Sequence, residues 1–184
     1  MNKRDVILSI LSGILLVLIF PRFNISILAW VALVPLLTAI REKGAIHSLL
    51  LGWITGVVYF GGLLTWVVNT MSNYGKLSLP LSYLILMLMA ITLGFYIAIF
   101  ALLLNSIPVK TKNGFAGWLL PPLIWTSMEL ARTRIPILGF PWGSLGYSQF
   151  KTLPVVQFAD IAGVYGISFL IVLVNSTTYL IIEN

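Results

Sequence analysis

Cysteine is absent from this 184-residue chain, and histidine occurs once, as His47. Without a thiol there is no disulfide, no thiolate nucleophile and no cysteine metal cluster. One histidine and no cysteine leave no basis for a metal site, and no cofactor is expected. Charge is also scarce. Only 9% of residues are Asp, Glu, Lys or Arg, against about a quarter in soluble domains. A water-soluble fold of this size needs more polar cover than that. What is present is apolar: 59% hydrophobic residues and a mean hydropathy of +1.03. The 11 Lys and Arg against 5 acids resemble a nucleic-acid binder only if position is ignored. Most lie at the ends of apolar runs, where membrane proteins place them to snorkel and to set orientation. The sequence therefore excludes nucleic acid as a partner and predicts an all-α membrane protein.

Crossing the hydrocarbon core takes about 20 apolar residues, and six runs come near it: 6–20, 25–40, 48–68, 79–104, 114–130 and 164–182. Helices satisfy their own backbone in lipid, so a bundle of about six transmembrane helices is predicted. Lys3 and Arg4 before the first run resemble a secretory signal. Phe20-Pro21-Arg22-Phe23 follows in place of a small-residue cleavage site, so the run is read as a retained span. Pro121 and Pro122 are expected to kink the fifth run or to shift its start. With the N-terminus cytoplasmic, that side carries Lys3, Arg4, Arg41, Lys43, Lys110 and Lys112, and the other side Arg22, Lys76, Arg132, Arg134 and Lys151. The totals are close, but the first side has tight pairs in short loops, which favours a cytoplasmic N-terminus.

Between the fifth and sixth runs lies a Gly/Pro/aromatic segment suited to a membrane interface. It includes Gly139-Phe140-Pro141-Trp142-Gly143-Ser144-Leu145-Gly146-Tyr147-Ser148-Gln149. Glycines allow positive φ and close approach. Trp and Tyr combine flat apolar faces with polar tips, which suits acyl chains beneath head groups but also a simple interfacial anchor. Glu129 and Arg132, three apart, share a helix face. They read either as a site facing a head group or partner, or as an ion pair locking helix to loop. Gly52 and Gly56, one turn apart, mark a helix-packing face, intramolecular packing being preferred to dimerisation. Asn69, Asn175 and Asp160 are expected hydrogen-bonders. His47 falls on the predicted side opposite the aromatic loop, which argues against a Ser/His/acid triad.

In these motifs the sequence resembles the bacterial apolipoprotein N-acyltransferases. The resemblance rests on Trp125-Thr126-Ser127-Met128-Glu129-Leu130-Ala131-Arg132, then Gly139-Phe140-Pro141-Trp142, Leu145-Gly146-Tyr147-Ser148-Gln149, and Gly163-Val164-Tyr165-Gly166-Ile167-Ser168-Phe169-Leu170 with Asn175. Upstream, Leu28-Ala29-Trp30-Val31-Ala32-Leu33-Val34-Pro35-Leu36-Leu37 and the 66–75 stretch also fit. The resemblance implies a membrane bundle carrying a nitrilase-like domain before a last span. It implies transfer of an acyl chain from a phospholipid, through a cysteine thioester, to the amino group of a diacylglyceryl apolipoprotein in the bacterial cytoplasmic (inner) membrane. The cysteine nucleophile, the glutamate base and the oxyanion lysine all belong to that nitrilase-like domain. These 184 residues are expected to lack it and to be inactive alone, with no catalytic residue carried over. The resemblance further implies that Phe140, Pro141, Trp142 and Tyr147 line the membrane side of the substrate cavity, with Glu129, Arg132, Gly139 and Gln149 in support. The chain is thus read as the membrane part of such an acyltransferase, truncated or interrupted. A non-enzymatic subunit of a split enzyme is the second reading. A small transporter is the third, although it calls for repeat symmetry and paired mid-bilayer charges that the sequence does not convincingly carry.

Overall fold

The computed structural model describes residues 2–106, 115–135 and 139–183, whose regular elements are all helical, without a β-strand among them. Helix α1 is Lys3–Leu18. A 3-10 turn at Ser26–Trp30 leads into α2, Val34–Ile40. Helix α3, Ala45–Leu63, is followed by the short α4, Thr65–Asn69, and a π turn at Thr70–Tyr74. Next come α5, Leu79–Ser106, and α6, Phe115–Arg134. A 3-10 turn at Leu145–Gln149 and the single-turn α7, Leu153–Val156, precede α8, Ala159–Glu183, whose regular course starts after Gly163 (φ 63°, ψ −172°).

Three of these helices, α3, α5 and α8, are long and apolar enough to cross a membrane. At about 1.5 Å per residue, the 19 residues of α3 reach about 28 Å, close to the hydrocarbon thickness. Helix α5 is apolar all round: Leu86, Leu93 and Ile97 are buried while Leu84, Met87 and Leu88 are exposed. A helix with no polar face belongs in lipid or in a protein core, and the exposed half here points to lipid.

Several boundaries differ from the sequence reading. The 25–40 run is not one helix: it breaks after Trp30, and α2 is only seven residues long with Pro35 in its first turn. The break is tolerated because Asn175 of α8 supplies the missing partners. Its Oδ1 accepts the Leu33 N–H at 2.8 Å, and its Nδ2 donates to the Ala29 carbonyl at 2.8 Å. The 48–68 run divides at Leu64 into α3 and α4. Helix α6 begins ahead of Pro121 and Pro122 and runs through both, so the prolines do not shift its start. Their cost falls on the carbonyls four residues earlier, which lose an N–H partner.

Helix α3 packs along α5 at Gly52 and Gly56. A Cβ on Gly56 would lie 2.6 Å from the Gly94 Cα, and one on Gly52 would lie 2.6 Å from the Ile97 carbonyl oxygen. The two backbones touch because no side chain separates them, so this glycine pair serves intramolecular packing. Helix α1 lies on α3, where the Thr55 hydroxyl donates to the Ser9 carbonyl at 2.9 Å. Helix α6 lies against α8, with the Thr133 and Tyr165 hydroxyls 2.8 Å apart. At one end of the bundle Lys43 pairs with Asp5 at 2.9 Å, and Arg41 pairs with Glu183. The start of α1, the α2–α3 turn and the end of α8 therefore share that end.

Candidate functional site

The connection from α6 to α8 is held by side chains of α3, α6 and α8. Gly143 has φ +81°, a left-handed conformation that glycine adopts without cost. A Cβ there would also meet Leu63 Cδ2 at 2.5 Å and the Tyr59 hydroxyl at 2.9 Å. That hydroxyl donates to the Gly143 carbonyl at 2.7 Å. Arg132, buried, donates to the Trp142 carbonyl and, at 3.4 Å, to the Ser144 hydroxyl. Its guanidinium stands 5.4 Å over the Phe60 ring, a cation–π contact of the kind arginine favours.

Glu129 is buried on the same face of α6. Its Oε1 accepts from the Trp125 indole N–H at 2.9 Å and from the Leu145 backbone N–H at 2.8 Å. Of the two readings of Glu129 and Arg132, the ion pair is not formed. The salt bridges among the described residues join Arg41 to Glu42 and Glu183, and Lys43 to Asp5. Both side chains turn instead to loop backbone groups, which in a buried setting need partners as much as the charges do. Farther along, the Gly146 N–H donates to the Ser168 hydroxyl of α8 at 2.9 Å. Gln149, buried, donates through Nε2 to the Ser26 carbonyl at 3.0 Å. Gly139 is exposed at the start of the segment.

With its backbone fixed, the segment turns its large side chains outward. Trp142, Tyr147 and Phe150 are each about half exposed. Together with Pro141, Phe20, Leu63 and Trp66 they line a cleft of about 860 Å³. The Trp66 and Trp142 rings meet edge to face at 6.1 Å, an arrangement their quadrupoles favour. Phe140 is not among the lining residues; it stands behind Trp142, ring centroids 5.1 Å apart. Of the four residues expected to face substrate, the structure thus brings three to the cleft and sets the fourth in support of Trp142. Sequence reasoning missed Tyr59, Trp66 and Arg22. Trp66 alone had a signal, the 66–75 stretch, without a role attached to it.

The polar side chains on the cleft wall are Arg22, Thr65 and Tyr147. Arg22 donates to the Thr65 hydroxyl at 3.0 Å, and that hydroxyl donates to the Gly62 carbonyl at 3.1 Å. Among the described residues, no base hydrogen-bonds the Thr65 or Tyr147 hydroxyl to activate it as a nucleophile. The wall suits retention of an amphiphile, with long apolar surface and a few oriented polar groups.

The family profile described as apolipoprotein N-acyltransferase N-terminal domain matches residues 12–177. Curated relatives bearing the name apolipoprotein N-acyltransferase align along almost the whole chain. The protein from Geobacter metallireducens is 41% identical over 182 residues, 99% of this chain and 34% of its own length. That from Coxiella burnetii is 30% identical over 178 residues, 97% and 36% respectively. That from Haemophilus influenzae is 30% identical over 185 residues, 100% and 34%. The chain spans about a third of the length of these relatives.

Proposed function

This chain belongs to the apolipoprotein N-acyltransferase family through its amino-terminal domain, and on that premise we propose that it is the part of a lipoprotein N-acyltransferase that holds acyl chains in the membrane. The donor is a phospholipid and the acceptor the amino group of a diacylglyceryl-cysteine apolipoprotein. The reading is carried by one observation: Trp142 stands half exposed on an apolar cleft of about 860 Å³ while its carbonyl is tied to a buried arginine. A merely anchoring tryptophan needs no such fixed backbone. Pro141 and Tyr147 share its wall, Phe140 supports it from behind, and Glu129, Arg132, Gly139 and Gln149 belong to the frame.

Bond-making lies outside these residues. A thioester needs sulfur, and the 184 residues include no cysteine. Supplied alone to cells lacking the enzyme, they are expected to restore nothing. The protein is read as a six-pass protein of the bacterial inner membrane, its N-terminus cytoplasmic. The shared end of Lys43 with Asp5 and Arg41 with Glu183 supports that reading, because it gathers the short basic loops on one side.

The test uses a complete protein carrying this membrane part. Trp142→Ala should leave lipoproteins diacylated, read by mass spectrometry of a lipoprotein N-terminus. Normal triacylation at normal protein abundance overturns the proposal.

A further inference from the structure

The turn after α1 places one arginine beside the apolar cleft, and the reaction scheme above gives it no task. Arg22 is exposed. One N–H of its guanidinium donates to the Thr65 hydroxyl, and its Cζ lies 5.7 Å from the Phe23 ring centroid. Two contacts orient the group, yet neither neutralises it. Arg22 takes part in no salt bridge among the described residues, and no carboxylate is among the residues lining this cleft. Lys151, 5.5 Å over the ring of the cleft residue Phe150, adds a second positive charge beside that wall.

A guanidinium has five N–H donors in a planar fork that matches two phosphate oxygens at once. Thr65 uses one of them. Arg22 shares the cleft lining with Phe20, Trp66 and Trp142, whose large apolar faces offer little to a small hydrophilic anion. Apolar wall and cation together fit a molecule that carries both a hydrocarbon chain and an anionic group. We infer that Arg22, oriented by Thr65, binds the phosphate of a phospholipid whose acyl chain lies along the Trp66–Trp142 wall. The inference rests on the acyl-holding reading of the cleft and adds to it the residue that distinguishes a phospholipid from a neutral diacylglycerol. With no carboxylate on the wall, the phosphate and not a head-group amine is the recognised group.

The experiment purifies this chain in detergent and measures lipid retention by native mass spectrometry. The probes are dioleoyl phosphatidylglycerol, dioleoylglycerol and inorganic phosphate. Arg22→Gln should lower retention of phosphatidylglycerol by about three- to tenfold, as loss of a charge-assisted contact at a partly exposed site implies. Retention of dioleoylglycerol should not change, and Arg22→Lys should recover part of the loss. Inorganic phosphate at the lipid's concentration should displace neither lipid. Equal effects of Arg22→Gln on both lipids, or none on phosphatidylglycerol, overturn the inference; so does displacement of phosphatidylglycerol by inorganic phosphate. Trp142→Ala, run in parallel, should weaken both lipids. If it does so while Arg22→Gln does nothing, only the role of Arg22 fails. If Trp142→Ala weakens neither, the acyl-holding reading fails and takes this inference with it.

Discussion

Tyr59 donates a 2.7 Å hydrogen bond to the carbonyl of Gly143, joining the end of α3 to a loop 84 residues away. The tyrosine is buried, with Phe60 and Phe20 at ring distances of 4.7 and 5.8 Å. Tyr59→Phe keeps those stacking contacts and removes only the hydroxyl. It should destabilise the protein by about 1–3 kcal/mol, the cost of stranding a buried carbonyl. Thermal unfolding in detergent, followed by tryptophan fluorescence, reads the change. An unaltered midpoint means that the carbonyl has found another partner.

Glu129 offers a sharper contrast between charge and hydrogen bonding. Its Oε1 serves Trp125 and Leu145 together. Glu129→Gln retains an acceptor oxygen and should leave the loop in place. Glu129→Leu leaves a buried N–H unpaired at Leu145, at a cost of about 1–3 kcal/mol. Trypsin cleavage after the exposed Lys151 gives the readout: several-fold faster in the leucine variant and near the parent rate in the glutamine variant. Equally accelerated cleavage in both variants would assign the loop's stability to charge, and parent rates in both would show that Glu129 does not hold the loop.

At the α3–α5 contact the expected effect is steric. Gly56→Val places side-chain atoms where Gly94 already lies, and overpacking of this kind costs about 1–3 kcal/mol or more. Gly44→Ser makes the control, since a Cβ there meets nothing within 4 Å and serine is at least as good as glycine at this N-cap of α3. The midpoint of thermal unfolding should fall for the first variant and stay for the second. A tolerated Gly56→Val would mean that α3 and α5 separate without loss.

Much of this was legible in the sequence, for identifiable reasons. Helices α5 and α8 follow from uninterrupted apolar runs, and the cleft's Trp142 and Tyr147 from an aromatic, glycine-rich segment too apolar for open water. Gly52 and Gly56 report their close contact through spacing alone. The remainder depends on distant partners. Nothing near residues 25–40 indicates that Asn175 will complete a broken backbone there. The spacing of Glu129 and Arg132 suggests a pair, because a sequence displays side-chain charges and hides the loop N–H and C=O groups that compete for them. Nothing in the sequence singles out Tyr59 until Gly143 is brought beside it. The prolines of α6 illustrate the reverse case, a strong local breaker overruled by packing.

The amide of Asn175 also sets an order of events during synthesis. Leu33 N–H and the Ala29 carbonyl emerge early, and the group that satisfies both arrives 142 and 146 residues later. Until then the amino-terminal hairpin carries an unfinished seam that water or the insertion machinery must shield. Helix α8 is therefore a latch as well as a span, closing a segment made well before it.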